Sequence, residues 1–215
     1  MAKLIILDYD GVIVDSFKEA HKSYMKMCEK LGKHCPTKFE EFKKTYGNSS
    51  TECYHNLGFS DEEIIGANEI YKKESFNKTP VMCEGIEEVL KELKKDHILI
   101  ALSSAYEDEL KDKLTKFNLA KYFQEITGRK SLKIKRFEKT EAIKNILQKY
   151  NLDSSEVISI GDRNVDFIEG TKAGLKNILL VDYGWGYDLK LIPEYKQKLI
   201  INKPLEILNA IKLFN

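Results

Sequence analysis

The chain has 215 residues, 42% of them apolar and 32% charged, with a net charge of +1. That balance describes a soluble globular protein with one sizeable core and excludes a disordered chain. Its three arginines (Arg129, Arg136 and Arg163) and its evenly mixed Lys and Glu leave no basic excess for nucleic acid to bind. No run reaches membrane-spanning length, and no basic-then-apolar leader precedes the first strand. Cys28, Cys35, Cys53 and Cys83 form no CxxC pair and follow no zinc spacing, so structural thiols in a reduced, cytoplasmic setting are expected.

In chain order, Leu4-Ile5-Ile6-Leu7 reads as a short buried strand that gives out into Asp8-Tyr9-Asp10-Gly11. Residues 16–32 carry helical spacing through Phe17, Ala20, Tyr24, Met27 and Leu31, with Ser16 as N-cap and Gly32 at the exit. Gly47-Asn48-Ser49-Ser50 is a loop signal, and Ser60-Asp61-Glu62-Glu63 opens another helix with a capping box. From Glu84 onward helices and apolar runs alternate. Strands are expected at 97–102, 123–127, 157–160, 178–181 and 199–201, with helices between them and a last one from Pro204. Apolar strands separated by helices imply a parallel sheet covered on both faces. The expected fold is a doubly wound α/β core formed by residues 1–14 and 82–215, with an all-helical insertion at 15–81.

In such sheets ligands bind beyond the carboxyl ends of the strands, so the residues at those ends decide the chemistry. Asp8 and Asp10, spaced i, i+2, can share a face, and two close carboxylates repel unless a cation or a shared proton offsets them. An Asp-rich turn is the plainer account of that segment taken alone. Leu102-Ser103-Ser104-Ala105 can offer hydroxyl and N–H groups to an anion, or simply cap the next helix. Ser159-Ile160-Gly161-Asp162 ends a later strand, and Asp166 follows one helical turn on. Four acids at one sheet edge are hard to account for as caps, and oxygen ligands of this kind suit Mg²⁺ beside a phosphate. Lys133, Lys135 and Lys139 all lie near enough to point there, and spacing alone does not separate them.

These segments, in this order, resemble the haloacid dehalogenase superfamily of phosphohydrolases. Asp8-x-Asp10-Gly11-Val12 matches its first motif and Ser104 its second. Lys139 is best placed for the third, and Gly161-Asp162-x-x-x-Asp166 matches the fourth. The helical insertion lies where subclass I members carry a C1 cap, and Asp182-Tyr183-Gly184-Trp185-Gly186-Tyr187 resembles a loop of the phosphoglycolate phosphatases. The resemblance implies Asp8 as nucleophile and Asp10 as acid and base. It implies Mg²⁺ held by Asp8, the Asp10 carbonyl and Asp162, with Asp166 orienting Lys139 or a metal-bound water. Ser104, Lys139 and the N–H groups near Gly11 and Ala105 would hold phosphate oxygens. Asn48 and Ser49 are candidate substrate contacts in the cap, with Lys43, Lys44 and His55, against the plainer reading of a solvated face.

The substrate implied is a small phosphorylated metabolite, acted on by a monomer or homodimer. A β-phosphoglucomutase-like activity is the alternative, although His21 is displaced by one position and the insertion lacks Arg. A silent binding module on the same scaffold is a second. Dehalogenation is disfavoured because those members lack the second acid that Asp10 supplies.

Overall fold

The computed structural model describes residues 2–47, 49–132, 137–196 and 199–214. Asn48, Lys133 and Lys135 lie outside the described residues. The first strand, β1 (Leu4–Leu7), leads through a turn into β2 (Val14–Asp15). Four helices follow: α1 (Phe17–Lys30), α2 (Phe39–Tyr46), α3 (Ser50–Asn56) and α4 (Asp61–Phe76). The chain then returns as β3 (Val81–Met82), antiparallel to β2, so the helical block leaves and re-enters through one two-stranded ribbon. Alternation follows: α5 (Ile86–Leu93), β4 (Ile98–Tyr106), α6 (Glu107–Lys116), β5 (Glu125–Arg129), α7 (Lys139–Tyr150) and β6 (Val157–Gly161). Next come α8 (Asn164–Lys172), β7 (Asn177–Leu180) and the short α9 (Ile207–Ala210).

The main sheet is parallel, in the order β5-β4-β1-β6-β7. The winding reverses at β1, which pairs with β4 on one side and β6 on the other, so the crevice of a doubly wound sheet opens at the carboxyl end of β1. Side-chain alternation along β1 divides the core. Ile5 and Leu7 join Leu99, Ile158, Val89 and Leu110 on one face, while Leu4 and Ile6 join Ile100, Val157, Ile143 and Ile146 on the other. A third apolar cluster lies wholly within the helical block, around Tyr24, Met27, Phe42, Tyr54 and Ile64.

Several local expectations from the sequence are met. Ser60 and Glu63 form the reciprocal capping box that starts α4, and Gly32 lies just past the end of α1 with φ of 65°. Others are corrected. Ser16 precedes α1, but its hydroxyl makes no cap bond and donates to Asp10 instead. Leu199–Ile201 is not a strand: Leu199 and Ile200 are exposed, and only Ile201 is buried, its carbonyl accepting the Asp182 N–H at 2.8 Å and its N–H donating to Asp182 Oδ2 at 2.7 Å. The strand expected to end at Leu102 runs on to Tyr106 through a register shift that covers Ser103–Ala105. Bulges of this kind re-aim side chains beside functional sites. The strand expected at 123–127 starts two residues later and ends at Arg129.

These burial patterns set a stability contrast that chemical denaturation measures. Ile5→Ala, in the fully buried strand, is expected to cost roughly 2–5 kcal/mol. Ser60→Ala, which removes one cap of α4, is expected to cost about 1 kcal/mol.

Candidate active site

The end of β1 is pinned before any acid chemistry begins. The Asp8 N–H donates to the Ile160 carbonyl at 2.9 Å, which carries the β6 pairing one residue past the strand. The chain then turns tightly, with Ile13 and Val14 both donating to the Tyr9 carbonyl. Gly11 sits in that turn with φ of 80°, and a Cβ there would overlap the Asp162 carboxylate. A Cβ at Gly184 would overlap the same carboxylate and the Gly11 carbonyl. Two glycines thus let the loops after β1 and β7 close around Asp162.

Asp8, Asp162 and Asp166 are buried, and each offers a carboxylate oxygen within 4.8 Å of the others. One cation meets two of them: Lys139 Nζ lies 2.8 Å from Asp8 Oδ2 and 2.6 Å from Asp166 Oδ1. Lys139 opens α7, whose first turn is buried against α8, so the ammonium reaches the acids from the flank of the sheet.

The acids differ in how their lone pairs are used. Asp166 is saturated, because Oδ1 takes Lys139 while Oδ2 accepts the N–H groups of Asp162 and Arg163 at 3.1 and 3.0 Å. Asp8 Oδ1 accepts the Tyr9 N–H at 2.8 Å. Asp162 is 0% exposed, and its Oδ2 accepts the Trp185 N–H at 2.5 Å. Its Oδ1 has no hydrogen-bond partner among the described residues. A buried, unpartnered carboxylate oxygen is costly, and a divalent cation with oxygen preference is the group that would satisfy it. The donor set therefore fits a divalent cation, which Asp162 and Asp8 could hold, with Asp166 close by and bonded through both of its oxygens within the protein.

Burial, opposed by Lys139 and reinforced by the charges of Asp166 and Asp10, leaves the Asp8 carboxyl raised to about 7. Asp162 is raised well above the usual carboxylate range, first by burial and then by the charges of Asp166 and Asp8. Burial alone would lower the Lys139 ammonium, but Asp166 and Asp8 overcome it and leave it raised. Lys139 is thus a fixed positive charge, and the acids are the groups that await one.

Asp10 faces a different set of partners. Ser16 Oγ donates to its Oδ1 at 2.5 Å and Ser103 Oγ to its Oδ2 at 3.2 Å. Asp10, Ser104 and Ala105 line a cavity of about 100 Å³ between the sheet edge and the helical block. Asp8 is not among its walls; Asp10, two residues on, is.

The N–H groups expected to meet phosphate are engaged within the protein. Gly11 donates to the Val14 carbonyl at 2.8 Å and Ala105 to Ser103 Oγ at 3.0 Å. What Gly11 contributes in this structure is clearance for Asp162. Ser49 accepts the Glu52 N–H as the cap of α3, and it is Ser50, its neighbour, that lines the cavity. His55 pairs with Asp61 on an exposed face.

Sequence reasoning passed over Ser103, Asn68 and Arg129. Ser103 was hidden by its twin Ser104, which takes the exposed side of the bulge. Arg129 was visible only as one of three arginines in a lysine-rich chain. The tryptophan loop also has a role the sequence did not give it: besides the Asp162 contact, the Trp185 ring lies 4.6 Å from that of Phe17 and 5.1 Å from that of Tyr46. Arg163 stacks between Tyr46 and Trp185 and donates to the Gly47 carbonyl.

With this geometry in place, comparison with known proteins is informative. A phosphoglycolate phosphatase of Pseudomonas fluorescens is 24% identical over 213 residues, covering 94% of this chain and 77% of that protein. One of Aquifex aeolicus is 25% identical over 191 residues, covering 86% of each. Among solved structures, a protein of Clostridium acetobutylicum described as a predicted phosphatase superimposes with a TM-score of 0.87 at 26% identity, over 99% of both chains. A haloacid dehalogenase-like hydrolase of Streptococcus pneumoniae shares the fold, with a TM-score of 0.82 at 23% identity over 98% of both chains. The family profile for haloacid dehalogenase-like hydrolases matches residues 5–180, which takes in Asp8, Asp10, Asp162 and Asp166. The chain belongs to the haloacid dehalogenase-like hydrolases.

Proposed function

We propose that this hydrolase is a Mg²⁺-dependent phosphatase of a small phosphorylated metabolite of the phosphoglycolate kind, working through an aspartyl-phosphate on Asp8. The observation that carries this reading is the pairing of Asp8 with Lys139 beside Asp162, whose second oxygen has no partner among the described residues. The two phosphoglycolate phosphatases matched over most of their length support the substrate class. Residues 15–81 would act as the cap over the site, as the separate apolar cluster of the helical block suggests. No observation favours a phosphomutase, since His21 is tied up inside the block, against the Pro36 carbonyl at 2.6 Å and stacked on Phe42. Among the described residues no helix is long and apolar enough to cross a membrane. Four free cysteines accord with the cytoplasmic setting proposed for the enzyme.

In this reading an Asp8 carboxylate oxygen attacks phosphorus, and the bond from phosphorus to the ester oxygen breaks. Asp10 gives the departing oxygen its proton, then takes one from the water that cleaves the acyl phosphate and frees inorganic phosphate. Ser16 and Ser103 hold Asp10 in place for both transfers. Lys139 neutralises phosphoryl oxygens while its second bond to Asp166 keeps it aimed. Ser104, on the cavity wall, would hold another phosphoryl oxygen. Mg²⁺ bound by Asp8 and Asp162, with the Asp10 carbonyl, would neutralise further phosphoryl charge.

The decisive assay is hydrolysis of an aryl phosphate and of phosphoglycolate with and without Mg²⁺. Asp8→Asn is expected to lose roughly 10³-fold or more in kcat. Asp10→Asn is expected to lose roughly 10²–10⁴-fold and to retain a ³²P-labelled protein that the wild type does not accumulate.

A second expectation concerns stability. The folded chain holds the Asp8 proton up to about pH 7, whereas the unfolded chain releases it near 3.8. Its contribution is therefore fully present below the lower value and is lost as pH rises through the upper one. Without metal, thermal melts should show stability falling between pH 5 and pH 8 by way of this group. Asp8→Asn should shallow that fall, and added Mg²⁺ should raise the wild-type Tm more at pH 8 than at pH 5.

A further inference from the structure

Arg129 closes β5 where Gly128 lets the strand press against the bulge of β4, since a Cβ at Gly128 would stand 2.6 Å from the Ala105 carbonyl oxygen. The guanidinium is thereby delivered into the cavity that also holds Asp10 and Ser104. It is 4% exposed, lies 5.3 Å from the centre of the Tyr106 ring, and among the described residues has only neutral hydrogen-bond partners. Nη1 lies 3.3 Å from Asn68 Oδ1 and 3.5 Å from the Tyr106 hydroxyl, and Nη2 lies 3.4 Å from Ser50 Oγ. Nε has no partner among the described residues, nor has Nδ2 of Asn68. No carboxylate among the described residues forms an ion pair with Arg129. Two half-buried lysines, Lys78 and Lys113, also line the cavity, and Lys113 is matched by Glu109 at 2.5 Å.

A buried charge is costly unless an opposite charge and full hydrogen bonding compensate it, and a guanidinium fork fits a carboxylate in particular. Four buried groups on this cavity have no partner among the described residues: Arg129 Nε, Asn68 Nδ2 and Trp185 Nε1, which can only donate, and the Tyr9 hydroxyl, which can donate or accept. They call for an acceptor-rich anion. The cavity of about 100 Å³ has room for a carboxylate beside these donors.

We propose that Arg129, with Asn68 and Ser50, forms a second anion subsite that grips a carboxylate on the leaving-group end of the substrate and so sets specificity. This rests on the phosphatase reading of the Asp8 site. Arg129 belongs to the sheet, while Ser50 and Asn68 belong to α3 and α4, so a carboxylate held by all three ties the helical block down over the bound ester. Arg129 acts here by binding, not in the chemical step.

The test compares kcat/KM for 2-phosphoglycolate with that for ethyl phosphate, which has the same chain length and no carboxylate, in the wild type, Arg129→Met and Arg129→Lys. Losing a charged hydrogen-bonding partner should lower the phosphoglycolate-to-ethyl-phosphate ratio in Arg129→Met by about 10–100-fold, carried chiefly by KM, with partial rescue in Arg129→Lys. An unchanged ratio, whether both substrates fall together or neither falls, overturns the subsite and leaves the phosphatase reading standing. Glycolate alone should raise the Tm of the wild type and not of Arg129→Met. That shift in a protein that hydrolyses neither ester with Mg²⁺ would overturn the phosphatase reading and leave the subsite standing. No shift in the wild type counts against the subsite.

Discussion

Three carboxylates share a buried corner where the winding of the sheet reverses, and among the described residues one ammonium reaches them. That imbalance of charge governs the rest of the site. Lys139 can satisfy Asp8 and Asp166 together, but it leaves Asp162 with a bare oxygen in a place without exposure. Coulombic repulsion among acids so close would otherwise be relieved by protonation, and the raised Asp8 and Asp162 carboxyls express that tendency. In the proposed reading a divalent cation would offset the excess negative charge more completely than a proton does. The close glycines serve the same end, because Asp162 could not stand so near the β1 turn if Gly11 or Gly184 carried a side chain.

The parts of this arrangement that were legible in the sequence are those set by short-range rules. Strand runs ending in acids, a capping box at Ser60 and the change from helical to alternating rhythm near residue 84 are local signals, and a parallel sheet follows from them. Asp8, Asp162, Asp166 and Lys139 were named because each sits at a strand end or a helix start on the one edge where such sheets bind ligands. The contributions that depend on distant segments meeting were not legible. Nothing local to Ser16 says that its hydroxyl prefers Asp10 to its own helix, and nothing in Ser103-Ser104 says which of the two faces inward. The register shift in β4 decides the latter. Leu199–Ile201 misled for the opposite reason: an apolar run with strand composition lies where the described sheet offers it no partner.

Arg129 illustrates how a functional candidate can hide in a strand. Its significance comes from Asn68 and Ser50, far off in sequence, and from the lack of any acid paired with it among the described residues. Each of the two halves of the proposed substrate then has its own cation: Lys139 for the phosphoryl group and Arg129 for the carboxylate. The cavity that Arg129 enters is shaped by both the sheet edge and the helical block. In the proposed reading chemistry sits at the end of β1 and selectivity at the end of β5.

Arg163 joins these two tasks mechanically. It stands between Asp162 and Asp166 in the chain, yet its guanidinium lies over the rings of Tyr46 and Trp185 and donates to Gly47. Tyr46 and Gly47 belong to the helical block, whereas Trp185 belongs to the loop after β7. Any separation of that block from the sheet must therefore slide Tyr46 off the guanidinium and break the bond at Gly47, so the end of α2 and the start of α8 are tied to one another through a single side chain.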